Sequence, residues 1–241
     1  DEAGEIRLGA GRPVDYAVVM KRLPRERMLK RLLAEGKVPR GTMDAVARKV
    51  AAFHATADTG GEIDECGGIE TIRRNHDENF EQTATYVGIT LPRSRYDFLK
   101  AWVNRYLDRE RQLFEKRVEE HRIRDCHGDL HAEHICLTDG IVIFDCIEFN
   151  KRFRYGDVAA EAAFLAMDLD YHGYPDHAQS FVEAYIRHSG DGDVRRLLDF
   201  YRCYYAFVRG KVTSFRLDDP HTEAVDRDAA GFGARWAGFL H

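Results

Sequence analysis

The chain has 241 residues, 44% hydrophobic and 32% charged, enough to bury a substantial core in one large domain or two small ones. Its formal net charge of −5 offers no basic field to a polyanion, which argues against a nucleic-acid partner and fits a cationic or neutral substrate slightly better than an anionic one. No apolar run approaches the roughly 20 residues that span a bilayer, no signal peptide opens the chain, and the five cysteines show no Cys-x-x-Cys spacing, so a reduced, cytoplasmic protein with no membrane partner is expected.

From the N-terminus, residues 1–14 are Gly-rich and polar, and the start at Asp1 rather than Met leads one to expect a longer parent protein. Tyr16-Ala17-Val18-Val19-Met20 reads as a buried strand, ended by Pro24. From there to about residue 120 the pattern is helical. Thr42 can cap a helix with Met43, Val46, Ala47, Val50, Ala51 and His54 on one face. Pro92 and Ser94 open another that, unbroken through Val118, would be about 40 Å long. At Ile123 the pattern changes to three short apolar segments: Ile123 to Cys126, His134 to Leu137, and Ile141 to Ile147. Thr138-Asp139-Gly140 between the last two is a hairpin turn. Helices resume at Asp157, again at Pro175-Asp176, and in an aromatic-rich stretch from Val194 to Leu217. The outline is α+β, helix-dominated, with a small β-hairpin insert.

The insert carries the chemistry. Between Cys126 and Leu137 lie His127, Asp129, His131, Glu133 and His134. The facing segment, Ile141 to Glu148, is an apolar strand that ends at Asp145, with Glu148 three residues on. A carboxylate buried in such a run needs a metal or hydrogen-bond partner. Phosphoryl transfer calls for this set: one Asp to orient and deprotonate a hydroxyl, and a second oxygen ligand to hold Mg²⁺ against the β- and γ-phosphates. A metal-dependent hydrolase is the competing class, with His127, Asp129 and His131 on Zn²⁺ and His134 and Cys136 close by.

His127-Gly128-Asp129-Leu130-His131 resembles the catalytic loop of the aminoglycoside phosphotransferase and choline kinase group of the protein-kinase-like fold. Phe144-Asp145-Cys146-Ile147-Glu148 resembles that group's metal-binding segment. With Tyr204–Phe215 added, the chain is similar to bacterial proteins that fuse such a domain to a P-loop ATPase domain, and the similarity runs from about residue 15 to the C-terminus. The resemblance implies the large lobe of a kinase-like fold, ATP and Mg²⁺ as cofactors, and a small-molecule hydroxyl acceptor such as a sugar, aminosugar or aminoglycoside. A fused P-loop ATPase domain is implied as a neighbour in the full-length protein. By position, Asp129 becomes the catalytic base, His127 structures the loop, and Asp145 is the principal metal ligand. Asp157 braces the loop or simply caps the helix it opens, two compatible roles, with Glu148 and His131 in support. Where the family carries Asn as a second metal ligand, this chain has His134. With His134 kept as a candidate metal ligand beside Asp145, that departure means either that His134 contacts phosphate or substrate instead or that one metal ion suffices, and it leaves open a pseudo-kinase without turnover.

Within the same resemblance, Val18-Val19-Met20-Lys21 mimics the strand whose Lys grips ATP. No two strands follow before Ile123, however, so residues 1–24 are better read as the last small-lobe strand and hinge. Met20, Lys21, Arg22 and Leu23 would then contact nucleotide, and residues 25–241 form the helical catalytic lobe. The Gly-rich loop would lie upstream, leaving the isolated chain inactive. His76, Asp77, Glu78, Glu81 and Gln82 are expected on a mostly solvated helix face. Arg209 and Lys211 either snorkel to solvent or line the acceptor cleft.

Overall fold

The computed structural model describes Tyr16 and residues 20–218. The strand expected at Tyr16–Met20 therefore lies, apart from its two end residues, outside the described residues. Met20 to Pro24 take no regular structure. The helices α1 (Leu29–Ala34), α2 (Thr42–Thr56), α3 (Glu62–Gly67) and α4 (Ile69–Thr83) follow. In α2 the predicted face is buried, from Met43 through Val50 to His54.

The long helix expected after Pro92 is broken. It runs as α5 (Arg93–Arg109) and α6 (Arg111–Glu119), with Glu110 between them at φ −98° and ψ 16°. The Glu110 carboxylate accepts hydrogen bonds from Arg109 and Arg196, so the break is held from both sides. Beyond it, α6 turns Arg117 inward until its side chain is fully buried. That guanidinium donates to both oxygens of Asp157 (2.6 and 2.9 Å) and both of Asp191 (2.7 and 2.6 Å). Burial works against its charge, but the two carboxylates outweigh it and raise its pKa further.

Next comes the insert. β1 (Ile123–Asp125) pairs antiparallel with β4 (Tyr155–Asp157), and β2 (Ile135–Leu137) pairs antiparallel with β3 (Ile141–Ile143). The β2–β3 register sets Ile135 opposite Ile143 and Leu137 opposite Ile141, closed by the turn at 138–140 as its Asp-Gly pair demands. The short helix α7 (Lys151–Arg154) leads back to β4.

Three more helices follow among the described residues: α8 (Val158–Tyr171), α9 (Pro175–Ser189) and α10 (Val194–Phe215). In α8 every residue from Val158 to Leu169 is buried. Its many alanines let neighbours approach on every side, as suits a helix enclosed by others. It packs on α9 and α10, α9 packs on α2, and α4 packs on α10 and α5. Around Phe200 of α10 an aromatic cluster fills the remaining core, with the Tyr106 ring stacked on it at 4.7 Å. Among the described residues, no helix is long and apolar enough to cross a membrane.

Candidate active site

The loop between β1 and β2 is fixed mainly by hydrogen bonds to its main chain. Gly128 donates its N–H to Glu161 Oε1 at 2.7 Å, and Ala132 donates to Asp168 Oδ2 at 3.0 Å; both acceptors stand on the buried helix α8. Gly128 is required at its position. It has φ +83°, and an added Cβ would lie 2.8 Å from the Phe153 carbonyl oxygen.

His127 ties this loop to the segment after β3. A carbonyl oxygen can only accept, so the 2.8 Å contact of Nε2 with Phe144 O places the proton on Nε2. Nδ1 is then free to accept from Asp129 N–H at 3.3 Å. The His127 carbonyl also accepts from Ile147 N–H at 3.0 Å. Both ring nitrogens are thus committed, which removes His127 from the Zn²⁺ set of the hydrolase reading. A loop-structuring part is what its bonds describe.

His134 joins the two aspartates. Its Nδ1–H donates to the Asp129 carbonyl oxygen at 2.9 Å, which leaves the Nε2 electron pair facing Asp145 Oδ2 at 3.3 Å. His131 accepts from Glu133 N–H at Nδ1, so its Nε2–H points at Asp129 Oδ2, 3.5 Å away. Burial pushes the Asp129 carboxyl up, but the His131 hydrogen bond and the charges of His131, His134 and Arg209 outweigh it. They hold the carboxyl below its ordinary range.

Asp145 is not the buried strand-end carboxylate that the sequence suggested. β3 stops at Ile143, and Asp145 adopts φ +65°, a left-handed backbone that turns its side chain out to 73% exposure. A non-glycine residue in that region costs of order 1–3 kcal/mol and is common where a side chain is held for use. Glu148 is exposed, with no hydrogen bond or ion pair among the described residues.

Asp157 does not touch the catalytic loop. Its carboxylate faces Arg117 and accepts Ala159 N–H at 2.8 Å, capping α8. The bracing expected of it comes from Glu161, one turn further on. Glu161 is itself locked, its second oxygen 2.6 Å from His54 Nε2, and His54 Nδ1 lies 2.7 Å from the Tyr185 hydroxyl. Burial pushes the Glu161 carboxyl up, and the bonds from His54 and Gly128 more than reverse it, leaving it below the usual range. Sequence reasoning passed over Glu161 and Asp168, although two carboxylates within the apolar run Val158–Leu169 are the signal of buried, partnered acids.

Asp129 stands at a cavity of about 360 Å³ walled by α4, α8 and α10, with Arg209 and Lys211 in its lining. Asp145 lines an adjoining space of about 880 Å³, with His127 and Phe144 beside it. On the α4 wall, His76 is buried against the rings of Phe200 and Tyr204, and Glu78 accepts from Arg152 at 2.6 Å. Those two are therefore engaged, while Glu81 and Gln82 lie on the exposed part of the face. The hinge residues Met20, Lys21 and Arg22 are exposed and Leu23 is half-buried. Directly after them, Pro24 accepts a weak Cys136 S–H contact at 3.8 Å, and Met28 bridges to Cys136, which sets this segment beside β2.

The lobe is helix-dominated, and a loop and a hairpin bring Asp129 and Asp145 to one imidazole, His134. Over residues 4–205 the chain matches the phosphotransferase enzyme family, and it belongs to that family. Uncharacterized proteins of Mycobacterium bovis and Mycobacterium tuberculosis are each 33% identical to it over 217 residues, 90% of this chain and 44% of theirs. The chain thus spans less than half the length of these relatives. Among solved structures, a glucosamine kinase in complex with glucosamine, ADP and inorganic phosphate is similar at TM-score 0.48 and 18% identity, covering 87% of this chain and 53% of that one. A second crystal form of glucosamine kinase gives the same score and identity.

Proposed function

We propose that the chain is the catalytic lobe of an ATP-dependent phosphotransferase acting on a hydroxyl of a small molecule. One observation carries this reading: His134 links Asp129, at the mouth of a cavity of monosaccharide size, to Asp145, whose strained backbone presents a carboxylate outward.

Asp129 orients the acceptor hydroxyl. Its oxygen bonds to the γ-phosphorus of ATP as the bond from that phosphorus to the ADP oxygen breaks, and the hydroxyl proton passes to the Asp129 carboxylate. A carboxylate held below its ordinary pKa is a weak base, so it accepts the proton late and contributes mostly by positioning. His131 fixes the rotamer of Asp129, and His127 keeps the hairpin segment in register with the loop.

The donor set at Asp145 fits a divalent cation. Two ligands at right angles on one ion lie about 3.0 Å apart with 2.1 Å bonds, and tetrahedral ligands about 3.4 Å. His134 Nε2 and Asp145 Oδ2 are 3.3 Å apart. Ligating imidazoles as a rule donate their other N–H to a carbonyl or carboxylate, as His134 does to Asp129. Asp145 and His134 would hold the ion, which neutralises phosphate charge when bound. Met20, Lys21, Arg22 and Leu23, beside β2, would meet the adenine side of the nucleotide.

The test separates the aspartates in the full-length parent. Asp145→Asn should weaken metal-dependent nucleotide binding and abolish turnover. Asp129→Asn should leave Mg·ATP affinity nearly intact while kcat falls about 10²-fold or more. If both variants keep full activity in an ATP-consumption screen over hydroxylated metabolites, the reading is wrong.

A further inference from the structure

We propose that the acceptor is anionic, carrying a carboxylate or phosphate besides the hydroxyl it offers, because among the described residues the acceptor cavity presents cations bonded to no carboxylate and has no spare carboxylate of its own. The proposal rests on the phosphotransferase reading for which end of the cavity reacts.

Among the described residues, three carboxylates line the cavity: Asp129, Asp157 and Glu161. Asp157 is 4% exposed and occupied by Arg117 and the α8 amide. Glu161 is 3% exposed and occupied by His54 and Gly128. Only Asp129 can meet a ligand, and it is assigned to the reacting hydroxyl. An ammonium group on the acceptor would therefore find no second anion. Amine recognition in a closed pocket needs one, since a desolvated cation without a partner is costly.

The cations are in the opposite condition. Arg209 lies near enough to Asp129 to lower its pKa, yet among the described residues its guanidinium makes no hydrogen bond or ion pair. Lys211 donates only to the amide oxygens of Asn79 and Gln82, the second at 2.7 Å, and neither carries charge. Burial pushes its pKa down, and the charge of Glu78 only partly offsets that. Glu78 itself is bonded to Arg152. An anionic group entering between α4 and α10 would meet Lys211 and relieve the cost of its burial, with Arg209 further along the same lining toward Asp129. The negative charge of the whole chain misleads on this point, because the acids are outside the cavity or already bonded within it.

Acceptor binding can be read on this chain by isothermal titration, at low salt, with four hexoses that differ in charge: D-glucuronate, D-glucose 6-phosphate, D-glucose and D-glucosamine. At least one of the two anions should bind about tenfold or more tightly than glucose, the ratio that one charge-assisted hydrogen bond supplies, and glucosamine should bind more weakly than glucose. Glucuronate and the phosphate ester together show which anion the cations prefer. Arg209→Gln with Lys211→Gln should bring the four sugars close to parity, and added salt should do the same to the wild type. Glucosamine binding tightest, an order unchanged in the double variant, or no binding by any of the four would overturn the proposal. Its failure is distinct from that of the phosphotransferase reading: anion-selective binding without phosphate transfer by the full-length parent would sink only the latter, whereas transfer with no preference for anions would sink only the former.

Discussion

Replacing Asp157 by Asn tests what holds the lobe together beneath the site. The change keeps the size of the side chain and leaves an N-cap on α8, since Asn caps about as well as Asp. It removes one of the two charges that face the Arg117 guanidinium, which is fully buried. Unit charges about 4 Å apart at an effective dielectric constant of 20 interact with about 4 kcal/mol, and breaking one side of a buried pair costs about 3–5 kcal/mol. Asp191 stays bidentate on the guanidinium, with contacts of 2.7 and 2.6 Å, so the lower end applies. A loss of about 3 kcal/mol is expected, a fall in Tm of roughly 6–12 °C for a chain of this size. Urea unfolding of both proteins, with m unchanged, measures it directly. The triple variant Arg117→Met, Asp157→Asn, Asp191→Asn should recover part of the loss, because removing a whole buried ionic set is often close to neutral. An Asp157→Asn protein within about 1 kcal/mol of wild type would refute the reasoning, and would mean that water or backbone motion already screens the guanidinium.

Three further outcomes are expected. Gly128→Ala places a methyl group 2.8 Å from the Phe153 carbonyl at φ +83°, so it should cost roughly 1–3 kcal/mol in thermal melts; an unchanged Tm would count against the loop geometry. Burial, with a smaller push from Arg73, drives the His76 pKa down to about 3, against about 6.5 unfolded. The unfolded state then binds the extra proton between those values, so this contribution is full above pH 6.5 and is lost as pH falls toward 3; His76→Phe should flatten the stability difference between about pH 6.5 and 5, and parallel curves would contradict it. On the proposed metal site, pulsed EPR of bound Mn²⁺ should show a nitrogen coupling from His134 that disappears in His134→Asn, with affinity shifting toward Mg²⁺; a coupling that survives the substitution would exclude His134 as the ligand.

The hairpin was legible because its register follows from a short-range signal, the Asp139-Gly140 turn between apolar runs. His127, Asp129 and Asp145 were singled out by the family resemblance of two short segments, and His127 and His134 tie those two segments together. What escaped was set by partners distant in the chain. Arg117, Asp157 and Asp191 meet only because α6 breaks from α5 at Glu110, and nothing in the local pattern announces that break. The cavity wall pairs Asn79 with Lys211, two helices that no periodicity connects. The rule that a carboxylate in an apolar run must be partnered was sound, but it applied to Glu161 rather than to Asp145. Helix α8 cannot turn Glu161 outward without exposing its apolar neighbours, whereas a single left-handed residue beyond β3 frees Asp145.

Glu161 and Asp168 lie about two turns apart on α8, so the catalytic loop hangs from one rigid rod by two of its own main-chain amides. An amide is the same whatever side chain follows it. Beyond Gly128, whose backbone admits no Cβ, the contour of the loop is therefore set from outside it, by two acids on a neighbouring helix. Exposed Glu133 should accept substitution without disturbing the fold, whereas buried Leu130 and Ala132 and the two acids on α8 should not.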